Sequence, residues 1–315
     1  MMGKPSDIGA SVTARLLNRA RSTGEDFQTL LTLFCLERFL YRVGVSPLRD
    51  QFVLKGALLL RVWTDHPYRA TRDLDLLRRG DDSHDAIARD VRAICTVPVE
   101  SDGVEFDTSR LGIEPIRADD EYAGVRVTLP VRCGTAKLTL QIDIGVGDSV
   151  WPPPSSATYP TLLDFAAPEV LSYPKEAVVA EKLEALVVLG DRNSRIKDFF
   201  DLRYLATSFA FDRMTLAEAV RRTFHQRGTP IPTEPPIGLT PEYWNNPSRP
   251  TQVNAFARRA RIEVSTVPGA EFAELLAVFL LPVLQDVRSG QHRDGMWDHV
   301  SGSWRPGVGQ GAADT

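Results

Sequence analysis

The chain has little of what would settle a function class at sight. It has three cysteines, Cys35, Cys95 and Cys133, far apart and odd in number; they suit a reducing cytoplasm and make no metal-site spacing. The five histidines, His66, His84, His225, His292 and His299, are dispersed with no zinc-binding spacing. No run of eighteen apolar residues exists, so no membrane-spanning helix is expected. The first seven residues lead into polar, helix-like sequence without the apolar core of a signal peptide, and the expected location is the cytoplasm. A net charge of −4 excludes a uniformly basic nucleic-acid binder but leaves room for basic patches. No Ser/His/Asp hydrolase signature and no Walker-type P-loop occur.

What is present is a chain of 315 residues, enough for one large domain or two. Residues 6–22 and 25–43 read as helices, the second with apolar residues at helical spacing from Phe27 to Leu40. Residues 51–64 read as strand, glycine turn and helix, 72–78 as a strand, and 83–95 as a helix capped by Asp82 or Ser83. Between 103 and 145 alternation and β-branched residues predict strands at 104–106, 125–129 and 138–144, the last two joined as a hairpin through Cys133-Gly134-Thr135. Trp151-Pro-Pro-Pro154 reads as a linker. Helices follow at about 174–190, 197–207, 215–227, 251–262 and 270–288, with a long loop over 228–250 and a disordered tail from Ser301. The expected fold is α+β: a mixed sheet with flanking helices over 1–165, and a C-terminal helical domain over 166–300 that completes an active-site cleft.

The stretch with most chemistry is Arg72-Asp73-Leu74-Asp75-Leu76-Leu77. On a strand, Asp73 and Asp75 project from one face and Leu74 and Leu76 from the other. Paired carboxylates repel one another unless a divalent cation sits between them, and hard oxygen ligands suit Mg²⁺, or Mn²⁺. Upstream, Lys55-Gly56-Ala57 opens a helix, a place where backbone N–H groups can approach a phosphate. A chance Asp-x-Asp pair and an ordinary glycine turn are the plain alternatives. Asp143, in Ile142-Asp-Ile, is either a third carboxylate facing the first two or an exposed acid at a strand end. Lys182 lies on or beside the inward stripe of its helix, where a cation needs a phosphate or a carboxylate. Arg195, Lys197 and Asp198 crowd beside Phe199-Phe200, and Asp198 and Asp201 are one helical turn apart. Basic residues gather late in the chain, at Arg213, Arg221, Arg222, Arg227, Arg258, Arg259 and Arg261, either as a phosphate-binding face or as solvated surface.

The ordered set of Leu36-Glu-Arg-Phe-Leu-Tyr-Arg, Phe52-Val-Leu-Lys-Gly-Ala, Arg69-Ala-Thr-Arg-Asp-Leu-Asp-Leu, Ile142-Asp-Ile, Glu181-Lys182 and Arg195-Ile-Lys-Asp-Phe-Phe-Asp-Leu resembles the AbiEii/AbiGii family. These are nucleotidyltransferase-like toxins, MenT toxins among them, within the polymerase β-type superfamily. The resemblance covers roughly residues 25–210. It implies metal-dependent transfer of a nucleotidyl group from an NTP to RNA, the tRNA 3′ acceptor end in MenT-type members, blocking translation, and a cognate antitoxin as partner. Matched by motif, Asp73, Asp75 and Asp143 would be metal-binding, and these three with Lys182 and Asp198 catalytic. Lys55, Gly56, Ala57, Thr71, Lys182, Arg195 and Lys197 would hold the nucleotide. One departure from the wider superfamily is Ala57 where a serine is usual, which removes a hydroxyl contact to phosphate. The resemblance leaves as rivals a nucleotidyl transfer to protein and a nucleotide-binding module without turnover.

Overall fold

A computed structural model describes residues 7–64, 68–69, 71–116, 124–262 and 269–307. Ser6, His66, Ala70 and the last residues of the expected tail lie outside them. The chain divides into two compact units, Met1–Asp148 with Pro154–Tyr173, and Ser149–Pro153 with Pro174–Thr315.

In the first unit the helices start where the sequence supplies caps. Asp7 accepts from the Ala10 amide at the start of α1 (Ile8–Thr23), and Asp26 accepts from the Thr29 amide at the start of α2 (Phe27–Val45). Helix α2 is buried almost all round from Thr29 to Leu40 and packs on the sheet. Then come β1 (Phe52–Lys55), a 3₁₀ turn over Gly56–Leu58, α3 (Leu59–Trp63), β2 (Leu74–Arg78) and α4 (His84–Cys95), which Ser83 caps. Strands β3 (Val104–Phe106), β4 (Gly112–Pro115), β5 (Gly124–Cys133), β6 (Ala136–Val146), β7 (Ser155–Thr158) and β8 (Glu169–Ser172) complete the unit. Among the described residues the sheet has eight strands, ordered β3-β5-β6-β2-β1-β8-β7, with β4 also on β5. It is mixed: β2 runs parallel to β6 and β8 parallel to β1, while β1–β2 and β5–β6 are antiparallel.

The expected α+β class and the β5–β6 hairpin are what the structure shows. The acidic strand is shorter than its pattern suggested. It starts at Leu74, and Asp73 stands just before it, exposed. Leu74, Leu76, Leu77 and Arg78 are all buried because β2 is an inner strand with a neighbour on each side. Strands β4, β7 and β8 carried no clear alternation in sequence; β4 pairs with β5, β7 with β8, and β8 in turn with the distant β1.

The second unit is helical around α5 (Lys175–Leu189). This helix contacts α6 (Ile196–Ser208) and α7 (Arg213–Arg227), and shows no single apolar stripe because it is covered on most sides. A two-residue strand β9 (Phe211–Asp212) precedes α7; α8 (Pro241–Trp244), α9 (Arg249–Ala260) and α10 (Ala270–Ser289) follow. The expected loop over 228–250 therefore holds a helical turn, α8, whose Tyr243 and Trp244 are buried against Phe199. The tail expected from Ser301 is corrected as well. Strands β10 (Met296–Asp298) and β11 (Ser303–Arg305) form a hairpin on β9, and the Trp304 indole donates to the Phe279 carbonyl at 3.0 Å. Trp151 of the proline-rich stretch lies under the Arg222 guanidinium, 4.1 Å from it.

Candidate active site

In the first unit four charged residues fall in one row across four adjacent strands. Lys55 of β1 pairs in register with Asp75 of β2, Asp75 with Asp143 of β6, and Asp143 with Arg126 of β5. Directly opposed residues share a face of a sheet. The two acids are therefore neighbours, with a cation on either side. Gly56 follows at the end of β1 with φ +69°, and a Cβ built there would lie 1.9 Å from Asp75 Oδ2. The turn needs glycine twice over: for its backbone angle, and to leave the space the carboxylate occupies. Ala57 is half-buried in the same turn. Thr71 and Asp73 close a small loop before β2, the Asp73 amide donating to the Thr71 hydroxyl at 3.4 Å. Arg72 ties that loop to the cap of α2, donating to Thr29 Oγ1 at 2.7 Å and to Asp26 at 3.0 Å.

The flanking cations are engaged. Lys55 Nζ, 4% exposed, lies 2.8 Å from Asp148 Oδ2 and 5.0 Å from the centre of the Tyr173 ring. Arg126 forks onto Asp143, with Nε to Oδ1 and Nη2 to Oδ2 both at 2.8 Å. Turning the Gln141 amide end over lets its oxygen accept from the same guanidinium at 3.1 and 3.2 Å. The donor chemistry at Asp73 and Asp75 fits a magnesium-type ion, which commonly takes one or two carboxylates and completes its shell with phosphate and water. The glycine-lined recess beside Asp75 keeps that carboxylate next to the turn. Asp143 is held through both oxygens by the Arg126 guanidinium. Among the described residues no group of three His, Cys, Asp or Glu is placed to hold a metal together.

In the second unit the expected lysine and aspartates do come together. Lys182 Nζ on α5 lies 2.6 Å from Asp198 Oδ1 and 2.9 Å from Asp201 Oδ2, both on α6. Arg195 Nε reaches Asp198 Oδ2 at 3.1 Å. Burial by itself would lower the Lys182 pKa, but Asp198 and Asp201 outweigh it and hold the ammonium above the usual lysine range. Burial would likewise raise the Asp198 carboxyl, and Lys182, Arg195 and Lys197 together hold it below the usual carboxylate range. Lys197 itself is exposed. The late basic residues are partly neutralised. Arg221 and Arg222 share Glu218, Arg227 reaches Glu184 at 2.8 Å, and Arg213 forks onto Asp286.

The sequence reading had missed Arg126, Asp148 and Arg249. Arg126 was within reach. With the turn at Gly134-Thr135 fixed and Cys133 opposite Ala136, counting back along the hairpin puts Arg126 opposite Asp143. Arg249 carried no signal, since most of its partners are backbone carbonyls, with the Gln252 side chain at 2.8 Å and the Asp191 carboxylate at 3.5 Å beside them. It is 2% exposed, stacks at 3.6 Å on Tyr243, and donates to the carbonyls of Asp191, Asn193 and Tyr243 at 2.8, 2.8 and 3.1 Å. Asn193 in turn accepts from the Arg195 amide at 2.8 Å, so Arg249 fixes the turn that enters α6.

No curated protein sequence matches the chain. Two crystal structures are similar at low identity. One, from H. pylori and described as a nucleotidyltransferase, is 15% identical with a TM-score of 0.44, covering 85% of this chain and 100% of that one. The other, JHP933 from Helicobacter pylori, is 14% identical with a TM-score of 0.42, covering 84% and 94%. The sequence profile described as "Nucleotidyl transferase AbiEii toxin, Type IV TA system" matches residues 38–278. That match spans more than half of the chain, which belongs to the AbiEii family of nucleotidyltransferase toxins.

Proposed function

We propose that this toxin transfers a nucleotidyl group from an NTP to the 3′-hydroxyl of an RNA, the acceptor end of tRNA first among candidates, and so stops translation. The observation that carries this reading is the Gly56 turn packed against Asp75, in register with Asp143. A bare turn beside paired acids suits a triphosphate and its counter-ion better than it suits any apolar ligand. Asp73 and Asp75 would hold a divalent cation, which when bound supplies charge neutralisation for the phosphates. The Gly56-Ala57 backbone would orient the triphosphate, with Thr71 fixing the approach of Asp73. The hydroxyl gives up its proton to water, its oxygen bonds to the α-phosphorus, the bond from the α-phosphorus to the bridging oxygen of the β-phosphate breaks, and pyrophosphate leaves with the electron pair. The antitoxin that the family implies is the expected protein partner.

The test is incubation of the purified chain with Mg²⁺, total tRNA and each α-labelled NTP in turn, resolved on a denaturing gel. Label is expected on RNA with one or two of the four NTPs and is expected to vanish in Asp75→Asn. Label on protein and never on RNA overturns the RNA reading, and no label on either overturns transfer altogether.

A further inference from the structure

We propose that the polar face of the β5–β6 hairpin is the track along which the acceptor RNA leaves the acidic row, and that the pocket around Lys137 at the far end of the hairpin takes a phosphate of the RNA backbone. The inference rests on the nucleotidyl-transfer reading and deepens it, since it assigns a binding subsite to the acceptor.

The first observation is the register. Strands β5 and β6 pair without a bulge from Cys133 opposite Ala136 to Gly124 opposite Gly145. Side chains two apart on a strand share a face, and so do directly opposed ones. Lys137, Thr139, Gln141 and Asp143 therefore project on one side of β6, with Arg132, Pro130, Thr128 and Arg126 beside them on β5. The opposite side carries Leu140, Ile142 and Ile144, all buried. The polar strip starts at the acidic row and ends at Lys137, six residues and about 20 Å away at the usual rise of a strand.

The second observation is the chemistry of the strip. Apart from Pro130, each of its side chains carries a charge or a hydrogen-bonding group. Exposure grows away from the acidic row: Asp143 is buried, Arg126 and Gln141 are half-buried, and Thr128, Arg132, Lys137 and Thr139 are exposed. An apolar segment would bury little here. A chain of sugars and phosphates meets donors along the whole length, which is how proteins fix the register of a nucleic acid.

The third observation is the pocket. A cavity of about 560 Å³ opens at the far end, lined by Glu105, Arg110, Arg132, Lys137 and Thr139 among others. Arg132 stands directly opposite Lys137, and like charges in opposed positions of a sheet repel. Glu105 answers Arg132 at 2.5 Å, and Asp107 answers Arg110 at 2.7 Å. Among the described residues no carboxylate answers Lys137, so the pocket holds one cation more than it holds acids. Each arginine spends one nitrogen on its carboxylate, which leaves further N–H groups of its fork for another oxygen. A backbone phosphate brings one negative charge and acceptor oxygens, and matches both features.

The test measures binding of a 5′-fluorescein-labelled tRNA to the full-length chain by anisotropy over a range of KCl, beside steady-state transfer. Lys137→Gln is expected to weaken RNA binding about fivefold at low salt and to reduce the slope of log affinity against log salt by about 0.7–0.9, the share of one phosphate contact. The KM for RNA should rise by the same factor while the KM for the NTP stays put, and Lys137→Arg should restore both binding and slope. RNA labelling by the wild type, with affinity and slope unchanged in Lys137→Gln and in Lys137→Glu, overturns the inference and leaves the transfer reading standing. A rise in the KM for the NTP instead of the RNA also overturns it, since the pocket would then serve the donor. So does a loss of RNA binding in Arg258→Gln with none in Lys137→Gln, which would put the RNA on the helical unit. A wild type that neither binds tRNA nor labels it overturns both readings.

Discussion

At Gly56 two constraints coincide on one atom. The residue sits at φ +69°, where a side chain costs about 1–2 kcal/mol, and its missing Cβ leaves the room that Asp75 uses. Gly56→Ala is therefore expected to lower stability by at least that amount in urea unfolding, and to lose nucleotidyl transfer by more than the unfolded fraction explains, because Asp75 must move. Lys182 behaves differently from a surface lysine. Removing it leaves Asp198 and Asp201 facing one another with their nearest cation gone, at 1% and 7% side-chain exposure. Lys182→Ala is therefore expected to cost about 3–5 kcal/mol of stability, measured by denaturant unfolding, as well as activity. Lys182→Arg, which keeps the charge, is expected to retain most of that stability. The pH sign follows from the same cluster. Asp198 is held low, so its contribution is present above the ordinary carboxylate range and lost as acid protonates it. Lys182 is held high, so its contribution is present through neutral pH and lost only in strong alkali. The stability gap between wild type and Asp198→Asn should stay level from about pH 5 to about pH 9 and shrink below about pH 4. The strand aspartates and the lysine were legible in the sequence as residue types in order. The Lys182 partners Asp198 and Asp201 were legible too, and Arg126 was within reach of the hairpin register, whereas pairs such as Lys55–Asp148 join residues far apart in the chain and were not.

Among the elements, α2 shows how buried charge can belong to the fold alone. Its motif Leu36-Glu-Arg-Phe-Leu-Tyr-Arg puts Glu37 and Arg38 at 0% and 1% exposure. Glu37 accepts from the Leu162 amide at 2.7 Å and Arg38 donates to the Ala166 carbonyl at 2.8 Å, so the pair fastens the stretch before β8. Further along, Arg42 forks onto Asp102 at 2.6 and 3.1 Å and lies 5.0 Å from the Phe106 ring, fastening the helix to the start of β3. Asp102→Asn is expected to cost about 3–5 kcal/mol, whereas Arg42→Met with Asp102→Leu should recover most of it, because a half-broken buried pair is worse than none. A double-mutant cycle in urea separates the two. Local elements such as α4 and the β5–β6 hairpin were readable from caps and alternation. The parallel pairing of β8 with β1 was not, since nothing in Glu169–Ser172 names a partner more than a hundred residues earlier.

At the scale of the molecule, we propose that the two units are also two cooperative units of folding. Trp297 offers a probe of the second: it is fully buried, packs at 4.7 Å on Phe279, and donates to the Ala206 carbonyl. Trp297→Ala is expected to cost about 3–5 kcal/mol, and amide exchange should rise across α6, α7 and α10 while β1, β2 and β6 keep their protection. Equal loss of protection in both units would mean that they unfold as one. The low-contrast pattern of α5 explains why the interior of this unit was only partly foreseen: a helix covered on most sides has no stripe to read.

The match to the family ends at residue 278, yet α10 runs from Ala270 to Ser289, and Leu280, Val283, Leu284 and Trp297 beyond that point are buried. The stretch matched by the family profile and the packed helical unit thus stop at different residues. A chain trimmed to the matched stretch would be severed mid-helix and stripped of the hairpin that covers Phe211 and Phe279. It would test the consequences of an open core rather than of a missing appendage.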